Sequence, residues 1–337
     1  MAKVLVTGGA GYIGSTVVNA LRDSGHEPVV LDSLVRGRPE FVRNVPFFKA
    51  DISDEKALED LFNKHPDISC TIHCAAWIVI PESVANPYDY YEENLAKSNR
   101  FFKILNRLNQ KNVVFSSSAS IYKVPKDYVV DEQSPLEPIS PYARTKSMME
   151  NVLQDFCVAY KMRGIALRYF NPIGADPKMR SGIHVQFPSH VLGKLVDTAR
   201  GVQPCFELTG TQWATRDGTG LRDFFHVWDL AMAHVLAVER IDKIVGENHP
   251  TGFEAINLGT GTGVTVRELI QSFVRVYGKP IEVKEVAPRP GDNAGCYAST
   301  LKAKRLLNWE PQFTLDQGIQ HALEWGEKRQ SLLTWAT

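Results

Sequence analysis

The sequence is poor in cysteine and carries no net charge. Its five cysteines, Cys70, Cys74, Cys157, Cys205 and Cys296, form no paired metal-ligand spacing among 337 residues, so no metal is expected. An odd count without a secretory leader fits a reducing cytosol rather than a disulfide framework. Cys70 and Cys74 read as small buried hydrophobes. The 38 basic and 38 acidic side chains cancel, which removes any bulk attraction to nucleic acid or to a membrane surface. No apolar run is long enough to span a bilayer, and no repeat or low-complexity tract appears. A strand pattern begins almost at Met1, which is expected to leave no room for a cleaved targeting segment. The expectation is a cytoplasmic protein.

What is present is alternation. A short apolar run, Lys3-Val-Leu-Val-Thr-Gly8, reads as a buried parallel strand. Gly8-Gly-Ala-Gly11-Tyr-Ile-Gly14 follows and opens a helix to about residue 24. Glycines at this spacing let the backbone turn tightly and approach a pyrophosphate at a helix N-terminus. Glycine spacing alone is weak evidence. Here a second strand, Pro28-Val-Val-Leu-Asp32, ends in an acid about twenty residues on, which makes it a dinucleotide site. Asp32 suits the adenosine ribose and repels a 2′-phosphate. Arg36 and Arg38 nearby favour NADP, but the strand-end position of Asp32 decides for NAD.

Strands over residues 47–51, 69–75, 113–118 and 164–170 continue the pattern, with a long helix over 88–108. Asp51-Ile52 faces the adenine or starts the next helix, with Asp51 or Asp54 as its cap. Ala75-Ala76 leaves space for a cofactor backbone. Alternation over about 170 residues predicts a doubly wound parallel sheet of Rossmann type. After Asn171 the pattern breaks, and a smaller mixed α/β substrate lobe is expected from 171–222 and 251–337. Residues 1–170 form the NAD-binding part, and 223–250 returns to it. Helices are expected over 191–200, 228–239 and 266–277, the last capped by Thr265, with a strand over 255–259. The tail to about residue 330 is helical, with Trp309 and Trp325 in the core.

The chemistry centres on Ser140-Pro-Tyr-Ala-Arg-Thr-Lys146. Ser140 suits a helix cap and Pro141 a first helical position. Over the helix 142–160 that follows, Tyr142 and Lys146 share one face. A free phenol keeps its proton near pH 7. A lysine ammonium beside it favours the phenolate and makes Tyr142 a base. The alternative is a helix face with a solvated lysine and a half-buried tyrosine. Ser118 lies at a strand's carboxyl end, where serines also serve in turns.

These motifs resemble the extended short-chain dehydrogenase/reductase family, and within it the nucleotide-sugar epimerases. The resemblance runs nearly end to end. It covers Thr7-Gly-Gly-Ala-Gly-Tyr-Ile-Gly-Ser15, Phe115-Ser-Ser-Ser-Ala119, Ser140–Lys146 and Leu167-Arg-Tyr-Phe-Asn-Pro-Ile-Gly-Ala175. It continues through Asp217-Gly-Thr-Gly-Leu-Arg-Asp-Phe-Phe-His-Val227, Asn257-Leu-Gly-Thr-Gly261 and Arg289-Pro-Gly-Asp292. It implies a catalytic trio of Ser118, Tyr142 and Lys146. Along the cofactor it places Gly8, Gly11, Tyr12, Ile13, Gly14, Asp32, Ser33, Asp51, Ile52, Cys74, Ala75, Ala76, Asn94, Ser116, Tyr142, Lys146 and Tyr169. Around a UDP-sugar it places Ser118, Tyr142, Asn171, Arg222, Arg289, Asp292 and Cys296. Two arginines suit a diphosphate, since each donates parallel hydrogen bonds.

Three positions depart from that pattern. Ile78 stands where a cofactor-holding lysine is usual, Phe224 replaces a tyrosine, and Val185-Gln186-Phe187 replaces Asn-Leu-Met. The implied activity is reversible C4 epimerisation of UDP-galactose and UDP-glucose through a 4-keto sugar. UDP-GalNAc and UDP-GlcNAc join the substrates if Cys296, not Tyr297, borders the sugar's C2 group. The family suggests a homodimer through helices 88–108 and 142–160. Rival readings are a 4,6-dehydratase or decarboxylase of the same fold, a net oxidoreductase and a non-catalytic NAD sensor. Ala119-Ser120 supplies no dehydratase acid, and a sensor would be expected to lose Tyr142 or Lys146.

Overall fold

The computed structural model of the chain describes residues 1–288 and 292–335. Strands β1 (Lys3–Thr7), β2 (Glu27–Asp32), β3 (Phe47–Lys49), β4 (Ile68–His73) and β5 (Asn112–Ser118) enter one sheet. Val4, Leu5 and Val6 of β1 are fully buried. A near-continuous apolar run is what a parallel strand covered on both faces requires. The next strand, β6 (Val129–Val130), lies outside that sheet, and β7 (Arg163–Tyr169) rejoins it. The helices of this half are α1 (Tyr12–Asp23), α2 (Glu55–Lys64), α3 (Ile80–Ala85), α4 (Pro87–Tyr90), α5 (Lys97–Arg107) and α6 (Pro141–Tyr160).

The remaining strands are β8 (Asn171–Ile173), β9 (Phe206–Thr209), β10 (Leu221–Arg222), β11 (Phe224–His226), β12 (Phe253–Leu258), β13 (Val264–Thr265), β14 (Val283–Val286) and β15 (Tyr297–Ala298). With them come α7 (Val191–Ala199), α8 (Val227–Val245), α9 (Val266–Tyr277), α10 (Leu301–Leu307) and α11 (Leu315–Leu332). The central sheet runs β12-β7-β5-β4-β1-β2-β3, and every pairing in it is parallel. Strand order reverses between β1 and β4, which opens the ligand crevice at the strands' carboxyl ends.

The expected placement of 255–259 in the smaller lobe is corrected by this topology. β12 pairs with β7 from Phe253 to Leu258 and extends the sheet. Ile256 and Leu258 are fully buried, and α8 makes the crossover that brings the chain back. One core on the α1/α8 face includes Val17, Leu21, Leu230 and Val235. The core on the other face includes Leu58, Phe101, Phe102, Met149 and Leu153. Each such side chain contributes about 1.5–3 kcal/mol by leaving water. The smaller part has its own core of Leu195, Phe206, Leu208, Phe224 and Phe273. Trp309 and Trp325 are both buried, as expected.

Local signals place the helices. Ser140 Oγ accepts from Ala143 N at 3.2 Å and Pro141 opens α6. Asp54, rather than Asp51, caps α2 by accepting from Ala57 N. Thr265 and Glu268 form a capping box on α9. The helix expected over 88–108 carries a π turn at Tyr91–Ala96, between α4 and α5. Such turns insert an extra residue and redirect the side chains they carry.

Candidate active site

The switch-point crevice has a volume of about 580 Å3, within the usual range for ligand pockets. Its floor is the glycine turn. Gly8 has φ +71°, and a Cβ there would stand 2.7 Å from Ala75 N. At Gly14 a Cβ would come within 2.1 Å of Gly8 O. Gly8, Gly11, Tyr12, Ile13 and Gly14 all line the crevice. Asp32, Ser33, Asp51, Ile52, Cys74, Ala75 and Ala76 continue its wall, and Lys146 and Tyr169 close it at one end. Asp32 accepts from Ala10 N at 3.0 Å and from Leu34 N at 2.8 Å. Burial raises its pKa while these two N–H groups oppose the shift. The carboxylate is thus fixed at the strand end, where a ribose is recognised.

Arg36 and Arg38 are both engaged elsewhere. Arg36 forks onto Glu82, and Arg38 donates to His184 O. Neither guanidinium is held beside Asp32, the residue expected to read the ribose. The dinucleotide fits this cradle: the glycine turn excludes side chains and Asp32 sits at its lip.

Tyr142, Lys146 and Ser118 converge at the crevice end, because β5 ends where α6 begins. Ser118 lies close enough to Tyr142 to favour its ionised form, while its Oγ stands 2.9 Å from Ser120 Oγ. Burial raises the Tyr142 pKa and Ser118 lowers it, with a net upward direction. The expected lowering of Tyr142 by Lys146 is corrected: burial dominates and favours the neutral phenol, and the opposing influence comes from Ser118. Lys146 Nζ donates to Ser116 O at 2.7 Å. Burial brings the Lys146 ammonium down to about 8. Ala119 and Ser120 place no carboxylate beside Ser118, and Ser120 N donates to Ser118 Oγ at 3.2 Å.

Two expected cofactor residues lie behind the wall. Asn94, carried on the π turn, accepts from Trp77 N at 2.7 Å and donates to Trp77 O at 2.9 Å. It holds the loop after β4 rather than facing the crevice. Ser116 is fully buried. Its hydroxyl meets His234 Nε2 at 2.9 Å, and His234 Nδ1 lies 2.9 Å from Leu230 O. The Leu230 carbonyl needs a proton from Nδ1, so Nε2 accepts from Ser116.

The residues expected to hold the nucleotide lie on the smaller part, apart from Arg289. Arg222 donates to Leu221 O at 2.7 Å, Ala294 O at 3.1 Å and Asn293 O at 3.2 Å. Asn171 pairs with Phe224 across β8 and β11. Asp292 is half-buried. Arg289 lies outside the described residues. Cys296 is buried and its thiol is pushed up to about 11 by burial, with Arg222 pulling the other way. Tyr297 turns from it: a Cβ on Gly263 would meet the Tyr297 ring at 2.8 Å.

Sequence reasoning missed Asp223. Its fully buried carboxylate accepts from Thr260 N, Gly261 N and Ala298 N at 2.7, 3.2 and 3.1 Å. It ties the Leu-Gly-Thr-Gly turn to the strand beside Cys296. A Cβ at Gly259 would stand 2.3 Å from it, so that glycine was the available signal. The segment 183–190 was missed as crevice wall, although Ile183, His184, Val185, Gln186, Ser189 and His190 line it.

Residues 4–259 match the NAD dependent epimerase/dehydratase family. The chain belongs to that family. It is 38% identical over 332 residues to a UDP-glucose 4-epimerase of Bacillus subtilis (strain 168), covering 96% of both chains. Among solved structures it is similar to a Stenotrophomonas maltophila UDP-glucose-4-epimerase with bound NAD and formylated UDP-arabinopyranose. That match has 32% identity, TM-score 0.92, and covers 98% of this chain and 99% of the other. A Bifidobacterium longum UDP-glucose 4-epimerase in complex with NAD+ and UDP is 33% identical with TM-score 0.91. It covers 98% of this chain and 100% of its own. Among the described residues, no helix is long and apolar enough to cross a membrane.

Proposed function

We infer that this family member interconverts UDP-galactose and UDP-glucose by reversible oxidation at C4 of the sugar, with NAD held throughout. The observation that carries the reading is the placing of Tyr142 beside Ser118, one helical turn from Lys146, which lines the end of a dinucleotide crevice. NAD supplies a reversible hydride acceptor. Tyr142 takes the proton of the C4 hydroxyl and later returns one to the keto oxygen, while Ser118 hydrogen-bonds the same oxygen. Lys146 holds positive charge beside the phenolate. Inversion at C4 requires the 4-keto sugar to turn about its link to UDP. That asks for a firm hold on the nucleotide, given to Asn171, Arg222, Arg289 and Asp292, and a loose hold on the hexose.

Cys296 leaves room for an acetamido group at C2, so UDP-GlcNAc and UDP-GalNAc belong to the substrate range. The burial of Cys296 and the outward packing of Tyr297 support this register. The enzyme works in the cytoplasm, consistent with its unpaired thiols. It forms a homodimer through the α4–α5 and α6 helices, whose exposed Tyr88, Met148 and Val158 supply apolar contact surface.

The test is to incubate the purified protein with UDP-galactose without added NAD. UDP-glucose should appear with no net NADH. Failure to interconvert the two sugars, or NADH formed in step with product, would overturn the reading.

A further inference from the structure

One short loop spans the crevice in both directions. After β2 the chain turns back over the glycine turn, with Arg38 N donating to Ala10 O at 2.9 Å. Leu34 adopts φ +60° to make this turn. Gly37 is required by the path, because a Cβ there would stand 2.7 Å from both Ala10 Cβ and Asp32 Oδ1. Two arginines leave this loop for opposite walls.

Arg36 crosses to the loop after β4. Its guanidinium lies 3.9 Å from the Trp77 ring centroid and pairs with both Glu82 oxygens, at 3.1 and 2.5 Å. A guanidinium over an indole ring with a forked carboxylate pair is geometry that arginine makes and lysine does not. The platform is fixed from behind, since Asn94 bonds both backbone groups of Trp77. Arg38 crosses the other way. It donates to His184 O at 2.9 Å and Thr334 O at 3.2 Å, with the Trp335 ring 4.9 Å away. Trp77 and His184, the two landing points, line the same crevice as Asp32.

We propose that this loop is a staple that retains the dinucleotide, with Arg36 and Arg38 as its legs. The proposal rests on the cofactor reading above. It accounts for how a chain with Ile78 in place of the family's lysine keeps its cofactor: retention moves from a side chain on the cofactor to a bridge over it. The staple acts on escape, so it belongs in the dissociation rate. An exposed ion pair and a cation–π contact together are worth about ten-fold in such a rate. Half-exposed charges are also screened by salt, so release should quicken as ionic strength rises.

The experiment loads the holoprotein with radiolabelled NAD and chases with excess unlabelled NAD at low and high salt. Arg36→Ala should release label about ten-fold faster than the wild type and lose most of the salt dependence. The exchange Arg36→Glu with Glu82→Arg should recover the ion-pair part of the lost retention, about three-fold, which separates a bridge from a folding defect. If Arg36→Ala releases label within about two-fold of the wild type at both salts, the staple is overturned while the cofactor reading stands. A wild-type protein that takes up no label and releases no NAD when it is denatured overturns the cofactor reading, and the staple with it.

Discussion

Lys146 donates to the backbone carbonyl of Ser116 at 2.7 Å, one helical turn from Tyr142 on the same face of α6. The bond ties the catalytic helix to the strand that delivers Ser118. It also fixes the ammonium in a buried place, where its charge is costly to keep. The Tyr142 hydroxyl is the only acid–base group of the trio matched to a sugar hydroxyl. Tyr142→Phe should therefore lower kcat by about 100-fold or more, with NAD content unchanged. Near-normal turnover, measured with UDP-galactose, would remove Tyr142 as the base.

The depressed Lys146 pKa sets an alkaline limit. Burial brings the ammonium to about 8, so above that pH the positive charge beside Tyr142 is lost. The profile of kcat against pH should fall on its alkaline side near that value. Lys146→Arg keeps its charge there and should move the fall upward, whatever its effect on maximal rate. An unmoved limb would assign the fall to another group.

On the proposed reading, Asp32 selects NAD by repelling a 2′-phosphate. Asp32→Ala should narrow the ratio of NAD to NADP affinity, because the ribose partner is lost for NAD and the repulsion of the 2′-phosphate is relieved for NADP. Arg36 and Arg38 are bound to Glu82 and His184 O, so they should not add a phosphate contact of their own. Titration of the variant with both cofactors measures the ratio, and an unchanged ratio would move the selection elsewhere.

Cys296→Tyr should lower kcat/KM for UDP-GlcNAc more than for UDP-glucose, since discrimination is the ratio of the two constants. Equal losses, or no wild-type activity on UDP-GlcNAc, would remove Cys296 as the gate.

Acid should unfold the protein through its buried imidazoles. His73, bonded to Thr7 Oγ1 at 2.7 Å and Ser98 Oγ at 3.0 Å, is lowered to about 3 by burial, and His234 to about 4. Both stay neutral in the fold but bind a proton near pH 6.5 once unfolded. Their stabilisation is thus complete above 6.5 and is lost as pH falls toward the folded values. Each adds up to about 1.4 kcal/mol per pH unit to the slope. Urea midpoints between pH 7 and pH 4 should drop steeply, and His73→Gln should flatten the curve. A flat wild-type curve would contradict this account.

Much of the sheet was legible because buried parallel strands carry continuous apolar runs, as in β1 and β2. The trio was legible because Tyr142 and Lys146 obey helical spacing and Ser118 ends a strand. β12 was misassigned because sequence distance does not say which sheet a strand joins. Asn94, Arg36, Arg38 and His234 find partners 17, 46, 146 and 118 residues away. No local pattern announces pairings of that kind. The direction of the Tyr142 shift was misjudged for the same reason: it depends on burial, which neighbours distant in sequence supply.

The π turn at Tyr91–Ala96 makes this helix hard to simplify. Removing its extra residue would relax the backbone to α geometry. It would also turn everything before the deletion by about 100° against everything after it. Asn94 must face Trp77, while Phe101 and Phe102 must face the core behind β5. The π turn therefore sets the register between the crevice wall and the core, and a deletion within it should disturb the Trp77 contact and the Phe101 packing together.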